Sequence, residues 1–408
     1  MPTETAFQPV APEQWLHLAD VFECANLPNE ALNAATQALS GDARQRAQAL
    51  RAIIHAHVAL ANASQPVNAD AACGHIATAT RLLPERLQAL RDCGENARAE
   101  MEERVGLALF SWRDDTAVAA LEAERDRRQN TPGPLLAEVE LYLAIIWQNR
   151  GPASRGKAVT LLQTALTHAG AVPKLQANLL LRLMFDQTDE GDFATAAAIA
   201  DRILALEISD GYRARVLIYR ARLLGGLEKY TEGVADADAA TQIYAAYRAG
   251  RPVVRGALQA ATLLREAGLY EEESARLRYA LHEAGQLNVA ATGIRFGLGR
   301  ALLAAGHPVE AAEMLRQALE NELAAGLDPS DRAETCQALA EAYEAAGRHE
   351  EAATRYGQAA ALAIEAGEPV EAAESLRHQS DILQCLNRPA EAEAAAAKAR
   401  QVVLGETG

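Results

Sequence analysis

The sequence predicts an all-α fold, an α-solenoid of about ten helical hairpins, and three observations predict it. Half of the residues are hydrophobic while aromatics make up only 5%, so the apolar content is mainly alanine and leucine, which favour helix. Long runs of alternating Val, Ile and Thr, the pattern of a half-buried strand, are missing. A short break then recurs from Leu135 onward, at Gly151, Gly191, Glu228, Gly268, Gly306, Gly347 and Asn387, with successive gaps of 40, 37, 40, 38, 41 and 40 residues.

A glycine just past a helix supplies the left-handed backbone that ends it without a Cβ clash, so each break marks the inner turn of a hairpin. With roughly 5 residues in each turn, a helix has about 15 residues and a length of about 22 Å. The interval from Asn26 to Gly151 leaves room for two further repeats of ambiguous register, around Ala47 to Arg91 and Ala97 to Arg128. Pro66, Pro84 and Asn130 to Pro134 mark breaks or longer loops there. The expected division is a flexible lead-in over 1–12, divergent repeats over 13–134 and regular repeats over 135–408, closed by an alanine-rich capping helix from Ala390 to Val403.

A net charge of −16 argues against general nucleic-acid binding, which needs an excess of Lys and Arg on at least one face. No window approaches 18 uninterrupted apolar residues, which excludes a helical membrane span, and Met1 to Gln14 does not read as a secretory signal. Five scattered cysteines without a C-x-x-C pair fit a reducing cytoplasm.

The slots of the repeat resemble the tetratricopeptide (TPR) signature, W-x2-L-G-x2-Y on the first helix and A-x3-F on the second. Trp15, Leu18, Ala19 and Phe22 fill the first-helix slots of the opening repeat, Asn26 takes the turn, and Ala31, Ala35 and Ala38 follow. Later copies read Leu298, Gly299, Leu302, Gly306, Ala311, Leu315 and Ala318, then Leu339, Ala340, Tyr343, Gly347, Ala352, Tyr356 and Ala359. The family's usual period is 34; repeats near 40 resemble the sensor and scaffold arrays of bacterial regulators.

That resemblance implies a right-handed superhelix with a concave surface lined by successive first helices. Carried over slot by slot, it assigns partner binding to Asn178, Leu181, Phe185, Arg215, Ile218, Arg222, Arg255, Leu258, Thr262, Arg265, Phe296 and Arg300. Further on, Glu334, Gln337, Glu341, Glu344, Glu374, Arg377 and Asp381 turn the lining acidic. Between Asp210 and Arg300 Lys and Arg outnumber Asp and Glu, against the trend of the chain. Arginine's planar fork can hold a carboxylate bidentately, so the implied partner is a protein or extended peptide, either acidic or held by its C-terminal carboxylate. The competing assignment pairs these arginines with Glu228, Asp236 and Glu266 of adjacent helices.

Motifs of catalysis and metal binding are weak. His55 and His57 stand two apart and so on different helix faces, as do Cys73 and His75. Gly293, Gly297 and Gly299 lack the P-loop order, and Gly299 falls in a packing slot. Asp114 and Asp115 read as a solvated turn, and no serine has a G-x-S-x-G context. Trp15 and Trp147 fill core slots, whereas Trp112 is a candidate exposed anchor. The sequence therefore predicts a non-catalytic scaffold that needs no cofactor or metal and is compatible with homo-oligomerisation. A regulator that changes curvature on binding a signal peptide and acts on a separate effector is the alternative. An α/α-toroid enzyme would need aromatic platforms and paired carboxylates, for which few aromatics are available.

Overall fold

The computed structural model describes residues 11–64, 68–106, 115–287 and 291–404. It is 86% helical, without strands among the described residues, and divides into two compact units, Met1–Gly256 and Ala257–Gly408.

The first unit carries α1 (Pro12–Cys24) and α2 (Pro28–Gln37), α3 (Ala43–Ser64) and α4 (Ala69–Asp92), α5 (Asn96–Val105) and α6 (Asp115–Arg128), and α7 (Pro134–Asn149) and α8 (Pro152–His168). It continues with α9 (Pro173–Asp189) and α10 (Phe193–Leu204), and α11 (Asp210–Gly226) and α12 (Tyr230–Ala246). The boundary between units falls within α13 (Gly250–Glu266). The second unit continues with α14 (Tyr270–Gln286), α15 (Thr292–Ala304), α16 (Pro308–Ala325), α17 (Pro329–Ala345), α18 (His349–Ala366), α19 (Pro369–Cys385) and α20 (Pro389–Leu404). Among the described residues there are twenty α-helices, and their order gives the expected all-α solenoid architecture.

Every break read from the sequence has a left-handed backbone. Gly151, Gly191, Gly268, Gly306 and Gly347 have φ between 73° and 101°, and Glu228, Asn387 and the first-repeat Asn26 have φ of 59°, 59° and 60°. Pro84 behaves differently from the expected break. It lies inside α4, which runs unbroken for 24 residues, because a proline forfeits one intrahelical hydrogen bond that packing on both sides of the turn can outweigh. Pro134 instead opens α7 at its first turn, where no N–H is needed. Pro66, Trp112 and Asp114 lie outside the described residues.

Small residues at helix crossings set the packing within a hairpin. A Cβ on Gly299 would meet Leu315 at 2.5 Å and the Ala311 carbonyl at 3.3 Å, so α15 and α16 touch through a residue without a side chain. The fourth residue of each well-formed second helix donates its N–H to the residue capping that helix. It is Ala31, Ala196, Gly233, Ala311, Ala352 or Ala392 in six hairpins and Glu273 in α14. Glu273 is only 3% exposed, and its Oε2 has no hydrogen-bond partner. Burial raises its carboxyl above the usual range, against the pull of Arg265 and Arg300.

An acid whose folded pKa is raised contributes stability in full below its unfolded pKa, and that stability is lost as pH rises through the folded value. Glu273→Ala, which restores the residue used by its counterparts, is therefore expected to raise stability at pH 7 by about 1–3 kcal/mol, the cost of a buried unsatisfied group. It should also flatten the decline of stability above pH 4.5. Urea denaturation of both proteins at pH 4 and pH 7 checks this; equal stabilities at pH 7 would contradict it.

Candidate functional site

Within Met1–Gly256 the array curls back on itself. Its first helix, α1, lies against α3 on one side and α11 on the other, although α11 is four hairpins beyond α3. The approach is close because Gly211 stands at the contact: a Cβ there would lie 2.6 Å from the Val21 Cα. Val21 and Ala25 are buried in one cluster with Ala214, Leu217, Ile218 and Val253, and removing a valine side chain from water is worth about 1.5–3 kcal/mol.

Polar groups fix the register of this docked helix. Asp20 takes the Lys174 ammonium of α9 at 2.6 Å and accepts a hydrogen bond from the Ser209 hydroxyl. The Tyr247 hydroxyl donates to Asp210 at 2.6 Å and stands 2.6 Å from His17 Nε2, and Arg255 donates to the Ala25 carbonyl at 3.4 Å. Glu23 meets His55 of α3 at 3.1 Å. Burial would raise the Glu23 carboxyl, but the His55 hydrogen bond and the charges of His55, Lys174 and Arg51 bring it from 4.5 to about 2. The side chain keeps 42% of its surface open, so it lies in a hollow open to solvent. Burial and its Asp20 neighbour push the Cys24 thiol up.

The inner face beside α1 is built from the first helices. Arg51 of α3 reaches Glu138 of α7 at 3.2 Å and donates to the Tyr142 hydroxyl at 3.4 Å. Tyr212 of α11 donates to Asn178 of α9 at 2.9 Å. Phe185 and Tyr219 meet edge to face at 4.8 Å, and Arg215 stands 5.9 Å from the Tyr219 ring centre.

The residues assigned from the sequence thus fall into two sets. Asn178, Phe185 and Arg215 share this inner face and are half-buried, and Arg222 is exposed further along α11. Ile218 packs against α1, and Arg255 caps the end of α1. Leu258, Arg265, Phe296 and Arg300 belong to the second unit. There Arg300 lies 5.9 Å from the Phe296 ring and pairs with Glu334 of α17 at 3.4 Å. Asp236 is taken by Arg220 at 2.6 Å, so one acid of the competing assignment goes to an arginine outside the assigned set.

Two partners on this face escaped the slot transfer. Lys174 opens α9 one turn ahead of Asn178, outside the repeat's signature slots. Arg182 lies one turn beyond Asn178 on the same helix, and its neighbours are Arg215, Tyr212, Tyr219 and Tyr142. Elsewhere His57 Nδ1 lies 3.0 Å from His75 Nδ1 across α3 and α4. Among the described residues no group of three or more His, Cys, Asp or Glu could hold a metal ion. No helix among them is long and apolar enough to cross a membrane. Trp15 and Trp147 are half-buried against the hydrophobic core.

No protein-family model matches the sequence, and no curated protein matches it significantly. Solved structures do match. The chain is similar to a Signal Transduction ATPase with Numerous Domains protein with a tetratricopeptide repeat sensor from Pyrococcus horikoshii, at 13% identity and a TM-score of 0.53. That match covers 94% of this chain and 54% of the other. It is similar to the apo form of RapI at 11% identity and a TM-score of 0.53, over 79% of this chain and 99% of the other. A structure of the nearly identical TPR-like repeats of a "putative kinesin light chain" from Podosopora anserina matches 47% of this chain and 94% of its own, at 20% identity and a TM-score of 0.40. The fold is that of the TPR solenoids.

Two outcomes are expected. Gly211→Ala forces α11 away from the Val21 backbone and lowers stability by about 1–3 kcal/mol. In a background lacking the exposed Cys73 and Cys385, Cys24 should then react faster with a maleimide; an unchanged labelling rate and melting temperature would contradict the close contact. Because the Glu23 pKa is lowered, its contribution is complete above pH 4.5 and lost as pH falls toward about 2. Glu23→Gln should cost at most about 1 kcal/mol at pH 7, given the open hollow, and nothing near pH 2, as read by denaturation at the two pH values.

Proposed function

We propose that this chain, which has the TPR fold, is a non-catalytic scaffold whose inner face holds an acidic segment of a partner protein or peptide. One observation carries the reading: the inner face of Met1–Gly256 already holds a helix of that kind, the chain's own α1. Its sequence, PEQWLHLADVFEC, contains three acids and no Lys or Arg. The face receives it with Lys174, Ser209 and Arg255 around an apolar strip. A surface that takes one acidic amphipathic helix by a salt bridge, a hydroxyl and packed aliphatics has the chemistry to take a second acidic segment along its remaining length.

In this reading Asn178, Phe185, Arg215 and Arg222 are the partner-contacting part of the first unit, with Arg255 between α1 and the partner. Leu258, Arg265, Phe296 and Arg300 serve the second unit. The site of action is the cytoplasm. A second reading, a regulator that responds to a ligand and acts on a separate effector, draws on the neighbour from Pyrococcus horikoshii, whose TPR array is described as a sensor.

Replacing Arg215, Arg222 and Arg255 together by Ala is expected to abolish recovery of acidic partners from a lysate of the native host, with helicity by circular dichroism unchanged. Full recovery by the triple variant would refute the scaffold reading as stated here. A change in small-angle scattering on adding a recovered peptide would favour the regulator.

A further inference from the structure

We propose that His57 of α3 and His75 of α4 together bind one divalent transition-metal ion of the Zn²⁺ class, which clips the two helices of this hairpin to each other. The inference uses none of the residues assigned to the partner and stands apart from the scaffold reading.

Neither histidine has a second ligand on its own helix. His55 lies two residues from His57 and Cys73 two residues from His75, each on another face. The fold supplies the partner across the hairpin instead. α3 and α4 run antiparallel and pack on each other, pinned toward the far end by the Arg86 guanidinium, which donates to the Ala47 carbonyl. Ile54 and Val58 flank His57 on α3, Ala79 lies one turn beyond His75 on α4, and all three are buried in one cluster. The backbones that carry the two rings are therefore held in place. The rings meet with their Nδ1 atoms 3.0 Å apart and their centres 5.3 Å apart, tilted by 40°.

An imidazole nitrogen sits about 2.0–2.1 Å from Zn²⁺, so two on one ion stand about 2.9 Å apart at a right angle and about 3.4 Å apart at the tetrahedral angle. The separation of the His57 and His75 nitrogens falls inside that span, and small ring rotations let an ion take the place of the hydrogen bond. In the free pair one Nδ1 carries the proton and the other accepts it, so the accepting ring already aims a lone pair at the gap. The donor ring joins it by moving its proton from Nδ1 to Nε2 through water, and the number of protons on the pair does not change.

The surroundings allow the exchange. Both rings are half-buried, which leaves an entry from solvent. Burial, followed by the His75 and Arg81 charges, holds the His57 imidazole below its ordinary range, so at pH 7 it is in the neutral form that ligates metal. Arg81 opposes a cation, but its side chain is exposed and water and salt screen it. Among the described residues no group of three or more His, Cys, Asp or Glu forms here, so water takes the remaining positions and the ion is exchangeable. A bound ion ties together positions 18 residues apart and stabilises the hairpin by mass action.

The test uses the full chain with its exposed thiols removed by Cys73→Ser and Cys385→Ser, titrated with Zn²⁺ alone and with Mg²⁺ alone. Calorimetry reads the stoichiometry, and NMR follows the imidazole nitrogen resonances. Zn²⁺ is expected to bind once per chain and to move the Nδ1 resonances of both His57 and His75, while Mg²⁺, which prefers oxygen ligands, leaves them in place. His57→Gln and His75→Gln should each lose this binding. His307→Gln, which removes the imidazole paired with Glu271 at 2.7 Å, should keep it. Nδ1 resonances that stay still at saturating Zn²⁺, an equal response to Mg²⁺, a His57→Gln or His75→Gln protein that binds like its parent, or loss of binding through His307→Gln overturns the site. The NMR readout needs no substitution in the pair, so a variant that fails to fold does not shield the proposal.

Discussion

The closest helix contacts in this chain run through a residue without a side chain at the crossing, and the rest of the structure depends on that constraint. Gly299 admits the Leu315 side chain and the Ala311 carbonyl, and Gly226 admits the Phe193 ring. A hairpin so joined has one apolar stripe left over, which only the next hairpin can cover, so stacking follows from composition. The same rule governs the long-range contact: Gly211 lets α11 touch the backbone of α1, and without that approach the inner face of the first unit would be an open trough.

Electrostatics divides the labour between packing and recognition. Paired charges such as Arg86 with Glu102 and Arg98 with Glu138 lie inside the early hairpins and hold α3, α4, α5 and α7 in register. Their cost in lost hydration is recovered only with full pairing, so they fix geometry more than they add stability. The inner face is less complete. Lys174 is satisfied by α1, Arg51 by α7, and Arg182 and Arg215 between them lack acids. Charge is thus balanced where helices meet permanently and left unbalanced where the surface is hollow.

The hairpin fold was legible from periodicity because its cause is local. A left-handed residue every forty or so positions can be recognised even when it is Glu228 or Asn387, since the residues around it keep the helical stripe. Pro84 misled because a proline's effect depends on what packs beside it, which no local window contains. The candidate site was legible only in part. Slot transfer found Asn178, Phe185 and Arg215, but it could not see that Ile218 and Arg255 would meet α1, because that contact joins segments about two hundred residues apart. Arg182 went unnoticed for the same reason: an unpaired charge is a statement about absent neighbours, and neighbours come from tertiary structure.

The return of α1 to α11 also bears on how the polypeptide acquires its structure during synthesis. An open array can condense one hairpin at a time as it leaves the ribosome, because every unit needs only the one before it. Here α1 emerges while its last neighbours, Ser209, Ile218 and Arg255, are still untranslated. Val21 and Ala25 must therefore wait, exposed, until some two hundred further residues have been made and the loop they close has lost its freedom. Maturation of this unit is set by its longest-range contact, so α1 is the segment of it for which a cell's holding chaperones have the most time to engage exposed greasy surface.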